Sequence, residues 1–397
     1  MKILMINSVC GIRSTGRICT DLAQMLENEG HEVKIAYGRV DEVPEHLQKY
    51  AVRIGNNFDS TIHAVQSRVF DNHGWGSARE TRKFLKWADQ FNPEIVWLHN
   101  IHGYYIHVER LFQWLKKRNQ KTYWTLHDCW AFTGHCAHFD YVGCEKWTTG
   151  CYKCPQLKEY PKTIGFDSSD RNWKKKKEIF TSLDDMHIFT PSQWLANRVA
   201  ESFLGKYPIT VCPNGIDLKV FKPIESDIKK EYHLDKKRIL LGVSTVWYEK
   251  KGYKHFLELS KLIPDEWQIV LVGISNAQSQ ELPVNITGIP RTNSIDELAK
   301  WYTAADYFVN PSFEETMGLT TVEALACGTP AIVYNKTALP EVLSDESGII
   351  LKNCSAKAIK DAVAENRVFK PEACIAQARE YEKEKRYQVM IDIILGN

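Results

Sequence analysis

The chain has 397 residues, with 51 Lys and Arg against 49 Asp and Glu, a formal net charge of +2 with His neutral. That length exceeds what one hydrophobic core usually covers, so two domains are expected. The composition, 44% hydrophobic and 25% charged, excludes a disordered or collagen-like chain. The near balance of charge excludes whole-protein attraction to nucleic acid.

The N-terminus, MKILMINS, has too short an apolar run for a secretory signal. The longest apolar stretches fall far short of the roughly 20 residues of a membrane span. A cytoplasmic protein is therefore expected, and in that compartment its 11 cysteines are not a disulfide framework.

In chain order, Lys2 to Asn7 reads as a strand buried on both faces. A small-polar turn follows from Gly11 to Gly16. A helix is then carried by Ile18, Leu22, Met25 and Leu26 and stopped at Gly30, and a strand runs from His31 to Tyr37. This is a parallel strand–helix–strand unit. Further strands are predicted at Ile95–Leu98, Lys121–Leu126, Met186–Thr190 and Ile209–Cys212, with helices over Val108–Lys117 and from Pro191 to about Phe203. After the turn Pro213-Asn214-Gly215 a second series begins. Its strands are predicted at Arg238–Val243, Gln268–Val272, Tyr307–Val309 and Ala331–Tyr334, and its helices at Tyr253–Leu262, Ile295–Tyr302, Leu319–Cys327 and Ala356–Glu365. The expected fold class is α/β, with two doubly wound halves joined near residues 205–223. The run Lys174–Lys177 reads as a solvated helix face, with an anionic membrane surface or a lipid diphosphate as the sharper alternative.

The densest chemistry lies in Pro311-Ser312-Phe313-Glu314-Glu315-Thr316-Met317-Gly318-Leu319-Thr320-Thr321-Val322-Glu323-Ala324-Leu325-Ala326-Cys327-Gly328-Thr329-Pro330. It follows a strand and opens a helix, and ligands of open α/β sheets sit outside the carboxyl ends of strands. A helix start offers unpaired N–H groups and a positive dipole end, a seat for phosphate. Gly318 removes a side chain where a ligand would approach the backbone. Glu315 suits a simple cap. Glu323, among Val322, Ala324 and Leu325, needs polar partners, which ribose hydroxyls would supply.

This segment resembles the E-x7-E signature of the retaining glycosyltransferases of family 4, which have the GT-B fold: two Rossmann-like domains facing a central cleft. Asn214-Gly215-Ile216-Asp217 with Phe221 and Pro223 resembles the family's linker stretch, and Lys251-Gly252 its K-G turn. The resemblance implies that Glu315 contacts the donor sugar, that Glu323 bonds the ribose, and that backbone near Met317, Gly318 and Leu319 meets the sugar and diphosphate. Lys251 would stabilise the leaving diphosphate. Where the family carries Arg, this chain has Gly242-Val243-Ser244-Thr245, so Lys250 is expected to replace it beside Ser244. Ile289, next to Gly288, is the candidate for backbone contact with the base. Gly16 belongs to the glycine-rich loop, and Arg17 is a candidate for an acceptor phosphate. His127 ends a strand where family members carry a His near the donor sugar. Asn100 and His102, in the stretch His99 to Tyr105, suit an acceptor, since polar and aromatic groups bind sugars.

Cys136, Cys144, Cys151 and Cys154 stand in a spacing C-x7-C-x6-C-x2-C that fits a closed structural zinc site as well as four packed thiols. The stretch from His127 to Pro155 resembles a subgroup of colanic-acid and capsular polysaccharide glycosyltransferases. The expected layout is an acceptor domain over 1–208 with a Cys-rich loop at 129–165, a nucleotide-sugar domain over 209–378, and a C-terminal helix over 379–397 returning to the first domain. The expected activity is transfer from a UDP- or GDP-sugar to a glycan or lipid-diphosphate-linked acceptor, with no catalytic cofactor and with peripheral contact to the inner membrane face. A nucleotide-sugar epimerase on the same fold and a non-catalytic sugar-nucleotide-binding protein are the alternatives.

Overall fold

The computed structural model describes residues 1–39 and 42–396, in two compact units. The first spans Met1–Cys212 and takes up the chain again from Tyr387; the second spans Pro213–Arg386.

The first unit is built on strands β1 (Lys2–Ile6), β2 (Glu32–Tyr37), β3 (Ala51–Arg53), β4 (Ile95–Leu98), β5 (Lys121–Thr125), β6 (Met186–Thr190) and β7 (Ile209–Val211). All pair in parallel, in the order β3-β2-β1-β4-β5-β6-β7. Its helices are α1 (Arg13–Asn28), α2 (Asn57–Phe70), α3 (Ala78–Phe91), α4 (Val108–Lys117), α5 (Ser169–Phe180) and α6 (Gln193–Glu201). The central strands β1 and β4 read as near-continuous apolar runs because both sheet faces are covered there. Leu4, Ile6, Val96 and Leu98 pack with Phe84, Leu85, Leu111 and Phe112 of α3 and α4. The alternating Ile3, Met5, Ile95 and Trp97 pack with Ile18, Leu22 and Leu26 of α1.

The second unit holds α7 (Ile228–Glu231), β8 (Arg238–Val243), α8 (Tyr253–Leu259), β9 (Trp267–Val272), α9 (Asn276–Ser279), β10 (Ile286–Ile289), α10 (Ile295–Ala304), β11 (Tyr307–Asn310), α11 (Leu319–Ala326), β12 (Ala331–Tyr334), β13 (Gly348–Leu351), α12 (Ala356–Ala364) and α13 (Pro371–Arg379). Its parallel sheet runs β10-β9-β8-β11-β12-β13. Ile239, Leu241, Val270 and Val272 face α10 and α11, whereas Leu240, Ile269 and Leu271 face α8 and α12. The last helix, α14 (Lys383–Leu395), sets Tyr387, Met390, Ile391 and Ile394 into the α1 side of the first unit's core.

Both sheets reverse their strand order beside the first strand of the unit, between β1 and β4 and between β8 and β11. The crevice at such a switch point is where open α/β sheets take ligands. In the second unit it opens between the loop after Val243 and the loop after Asn310.

Three expectations are corrected. The domain boundary falls after Cys212, not after residue 208, because Ile209, Thr210 and Val211 pair with Ile188, Phe189 and Thr190 in the first sheet. The returning segment starts at Tyr387 rather than 379, because residues 381–383 are still tied to the second unit. Ile216 N–H donates to the Tyr381 carbonyl at 2.8 Å, Lys383 N–H to the Ile216 carbonyl at 3.0 Å, and Lys383 Nζ to Asp217 at 2.8 Å. Its last residue, 397, lies outside the described residues. The lysine run is not wholly solvated: Lys176 is 1% exposed, on the same face of α5 as Trp173 and Phe180.

Candidate active site

In the second unit the two loops at the switch point are clamped together. Gly252 adopts a left-handed φ of +75° between the 3-10 turn Glu249–Lys251 and α8, and a Cβ there would lie 2.4 Å from Pro311 Cγ. Only glycine allows that approach. Phe313 N–H donates to the Lys250 carbonyl at 2.9 Å, and Lys250 Nζ lies 3.2 Å from Glu314, both side chains being almost fully buried. Lys250 is thus a pinned buried cation rather than a loose loop residue.

Lys251, next along, ion-pairs with Glu315. Burial opposes its charge, but the Glu315 carboxylate outweighs this and its pKa lies above the ordinary lysine value. Glu315 is further fixed through its backbone, whose N–H donates to Thr337 Oγ1 at 3.0 Å and whose carbonyl accepts from Ala338 N–H at 3.3 Å. The structure therefore places the expected sugar-contact acid and the expected diphosphate cation side by side.

α11 begins at Gly318, itself left-handed at φ +87°, with no side-chain cap and no acidic residue in its first turn. α6, α10 and α12 differ, since Ser192, Ser294 and Ser355 accept from their first-turn N–H groups. The start of α11 can accept an anion from outside. Asn310, at the end of β11, donates to Thr321 Oγ1 at 3.1 Å and accepts from Ser312 N–H at 3.3 Å, so strand end, loop and helix move as one piece. Met317 is buried and Leu319 half-buried, so only their backbone is placed to meet a ligand. Further along α11, Glu323 accepts from Tyr302 OH at 2.8 Å. Burial, then the Glu323 charge, drives the Tyr302 pKa well above the ordinary tyrosine value, so this hydroxyl stays a donor.

Two donor expectations change. Ser244, at the end of β8, turns its hydroxyl to the Val246 carbonyl at 2.8 Å and so serves its own turn. The Ile289 carbonyl accepts from Gly273 N–H at 2.8 Å and Ile274 N–H at 3.3 Å, so its backbone is already engaged within the fold.

In the first unit, Gly16 lies inside α1, whose first residue is Arg13, not in the preceding turn. Arg17 is exposed and its Nε donates back to the Arg13 carbonyl at 3.3 Å. Asn100 lies at the switch point, its N–H donating to Asn7 Oδ1 at 3.2 Å and its carbonyl accepting from Tyr105 OH at 2.8 Å. His102 lies between Asp128 Oδ2 at 2.9 Å and Tyr160 OH at 3.1 Å. Asp128 also accepts from Trp130 N–H at 2.9 Å. Burial works against its charge, yet the His102 partner prevails and the pKa falls to about 2. His127 stacks on His99 with ring centroids 5.4 Å apart and its Nε2 3.1 Å from His99 Nδ1. His127 and His102 thus hang from neighbouring strand ends, as the sequence suggests. Asp128 and Tyr160 join the cluster of the first unit and Tyr302 that of the second; Asp128 was legible as the residue after His127, the two tyrosines only through the fold.

The histidines give the fold an acid sensitivity. Burial lowers the pKa of His63 to about 3 and of His127 to about 4, and takes His73 and His99 well below the usual value. Between about pH 6.5 and 4 the unfolded chain therefore binds more protons than the folded one, so stability rises with pH there. Each such histidine contributes up to about 1.4 kcal/mol per pH unit. The urea midpoint followed by tryptophan fluorescence should fall clearly from pH 6.5 to pH 5, and an unchanged midpoint would show that these rings are protonated in the fold.

The four cysteines of residues 136–154 line one small cavity together with His135, Lys146 and Trp147. Among the described residues no group of three or more His, Cys, Asp or Glu side chains is already drawn in around a metal position.

Two parallel-sheet Rossmann-like units, with a carboxylate–lysine pair at the second switch point, define a GT-B glycosyltransferase. Residues 15–220 match the family model "Glycosyltransferase Family 4" and residues 224–384 match "Glycosyl transferases group 1". The chain belongs to glycosyltransferase family 4. It is 24% identical over 390 residues, 95% of its length and 92% of the relative's, to "Putative colanic acid biosynthesis glycosyl transferase WcaC" of Escherichia coli (strain K12). It is 29% identical over 189 residues to "Lipopolysaccharide core biosynthesis mannosyltransferase LpsB" of Rhizobium meliloti (strain 1021), covering 43% of this chain and 54% of that one. Its fold is similar to sucrose-phosphate synthase from Thermosynechococcus elongatus (TM-score 0.72, 18% identity, 99% and 98% of the two chains). It is also similar to Anabaena Alr3699/HepE in complex with UDP and glucose (TM-score 0.70, 12% identity, all of both chains). Among the described residues no helix is long and apolar enough to cross a membrane.

Proposed function

We propose that this glycosyltransferase moves a sugar, with retention of its anomeric configuration, from a UDP- or GDP-sugar to a glycan or lipid-diphosphate-linked acceptor of a bacterial surface polysaccharide. The observation that carries this reading is the Lys251–Glu315 pair beside the uncapped start of α11. A diphosphate leaving group gains charge as the sugar departs, and a lysine and a helix N-terminus are the groups that stabilise it. Glu315 then orients the sugar, and Glu323, held by Tyr302, takes the ribose hydroxyls. The acceptor attacks from the face the diphosphate leaves, and the leaving phosphate takes the acceptor proton, so no enzymatic nucleophile is required. The HepE structure with UDP and glucose supports a nucleoside diphosphate donor, and the likeness to WcaC and LpsB supports a polysaccharide acceptor. His102, Asp128 and Tyr160 supply the polar lining for acceptor hydroxyls. A lipid-linked acceptor would bring the protein to the inner face of the membrane.

The test is a mass-spectrometric screen of the purified protein against UDP-, GDP- and ADP-sugars, with slow hydrolysis as readout. Release of one nucleoside diphosphate, lost on Glu315→Ala, is the expected result. A sugar nucleotide converted to its epimer without cleavage would overturn the reading, as would cleavage unaffected by the substitution.

A further inference from the structure

The cavity lined by Cys136, Cys144, Cys151 and Cys154 is surrounded by groups that favour negative charge on sulfur. Gly134 N–H donates to Cys151 Sγ at 3.2 Å, and Gln156 N–H donates to Cys154. Cys136 and Cys154 are close enough to hydrogen-bond through their thiols. His135 lines the same cavity and is 2% exposed. Its Nδ1 is bound to Asp71 Oδ1 at 2.6 Å, while its Nε2, fully buried, has no hydrogen-bond partner among the described residues. A carboxylate on one ring nitrogen with the other nitrogen open is the arrangement found for histidines at metal sites, where the carboxylate fixes the ring. Lys176, almost fully buried, spans the loop from behind. Its Nζ donates to the Trp130 and Thr133 carbonyls at 2.7 and 3.0 Å and lies 3.5 Å from the centre of the Trp130 ring. Neither the lysine nor the histidine is used by the transfer reaction derived above.

We infer that these four cysteines, which line one cavity together and receive the Gly134 and Gln156 N–H groups, bind a structural zinc ion. Zinc with four thiolates carries a net charge of −2, and such a charge is tolerated in a protein interior only beside cations and N–H donors. Two backbone N–H groups, of Gly134 and Gln156, point at sulfurs of this cavity, the His135 ring lines it, and the Lys176 amine lies behind the loop. Sulfurs of a tetrahedral zinc site, each roughly 2.3 Å from the metal, lie within van der Waals contact of one another. Cys136 and Cys154 already lie within thiol hydrogen-bonding reach of each other, and binding requires Cys144 and Cys151 to turn their sulfurs toward them. On binding, four thiol protons leave to solvent and no electron is transferred. The ion would add to a loop already ordered by Trp147 packing on Phe132 and Phe139 and by the Trp173 Nε1–H bond to the Trp147 carbonyl at 2.9 Å.

The test is the metal content of the full chain, purified without chelator, by elemental mass spectrometry. About one zinc per chain is expected, with four thiols shielded from a thiol reagent until a chelator is added. Cys154→Ser should lower the zinc content at least tenfold, and Cys354→Ser, a half-buried cysteine in the second unit, should leave it unchanged. If Cys154→Ser does not fold, the wild-type protein refolded with cobalt alone decides, since a cobalt tetrathiolate shows strong sulfur-to-metal charge-transfer absorption. Wild-type protein with less than about a tenth of an equivalent of metal, cobalt protein without that absorption, or a disulfide within the cluster would overturn the inference.

Discussion

Lys251→Met should lower kcat by about 10²–10³-fold, the loss typical when one preorganised charge is removed from a developing anion. The ammonium sits in the switch-point crevice of the second sheet, next to the helix start that would share the leaving diphosphate. Because Glu315 raises its pKa, it stays charged across the neutral range, so the rate should show no alkaline limb below pH 9 from this residue. Lys250 makes the contrasting case. Its charge is buried against Glu314, and removing one partner of a buried pair costs folding stability first. Lys250→Met should thus lower the melting temperature, while Lys251→Met should leave it nearly unchanged. Steady-state kinetics with the donor identified by the screen, run beside thermal unfolding, separates the two. A Lys251→Met enzyme within threefold of wild-type kcat would remove this lysine from the proposed chemistry.

Most strands of the two sheets were legible, the central ones because burial on two faces leaves nothing but apolar side chains, as in Ile3–Ile6 and Ile239–Leu241; β3, β10 and β13 were not read. Elements without that signature were missed. β3 is three half-exposed residues at a sheet edge, and α2 buries only His63 and Ser67. α3 carried a readable apolar face in Phe84, Leu85, Ala88 and Phe91, yet its start at Ser77 is left-handed and uncapped, so no start signal marks it. Lys176 was hidden by its charged neighbours, although Trp173, Lys176 and Phe180 follow the helical period that defines the buried face. Within the site, Glu315, Glu323 and Lys251 were visible as a motif, because the crevice constrains residue type at fixed spacing. Their partners were not. Tyr302 reaches Glu323 from a different helix, and Tyr160 reaches His102 across 58 residues of chain; such pairings exist only once the fold is formed. The backbone bonds of the Ser244 hydroxyl and the Ile289 carbonyl were hidden for the same reason, since they too exist only once the fold is formed.

The Tyr302–Glu323 pair supports the second large effect. Glu323→Ala should raise the donor KM by about 10- to 100-fold, because each hydrogen bond to a charged group contributes about 1.5–3 kcal/mol and the carboxylate would serve ribose hydroxyls in ground state and transition state alike. Uniform binding of that kind appears in KM rather than kcat. Tyr302 acts on the donor only through Glu323. Its hydroxyl, 2.8 Å from Oε2, holds the carboxylate in one orientation. Tyr302→Phe should therefore raise KM severalfold in the wild-type background and have almost no further effect on donor KM in the Glu323→Ala background. Contacting residues that share one partner are expected to couple in this way. Equal KM losses in both backgrounds would mean that Tyr302 serves the packing of α10 on α11 and not the nucleotide. A fall in kcat with unchanged KM on Glu323→Ala would move the carboxylate from the ribose to the reacting sugar.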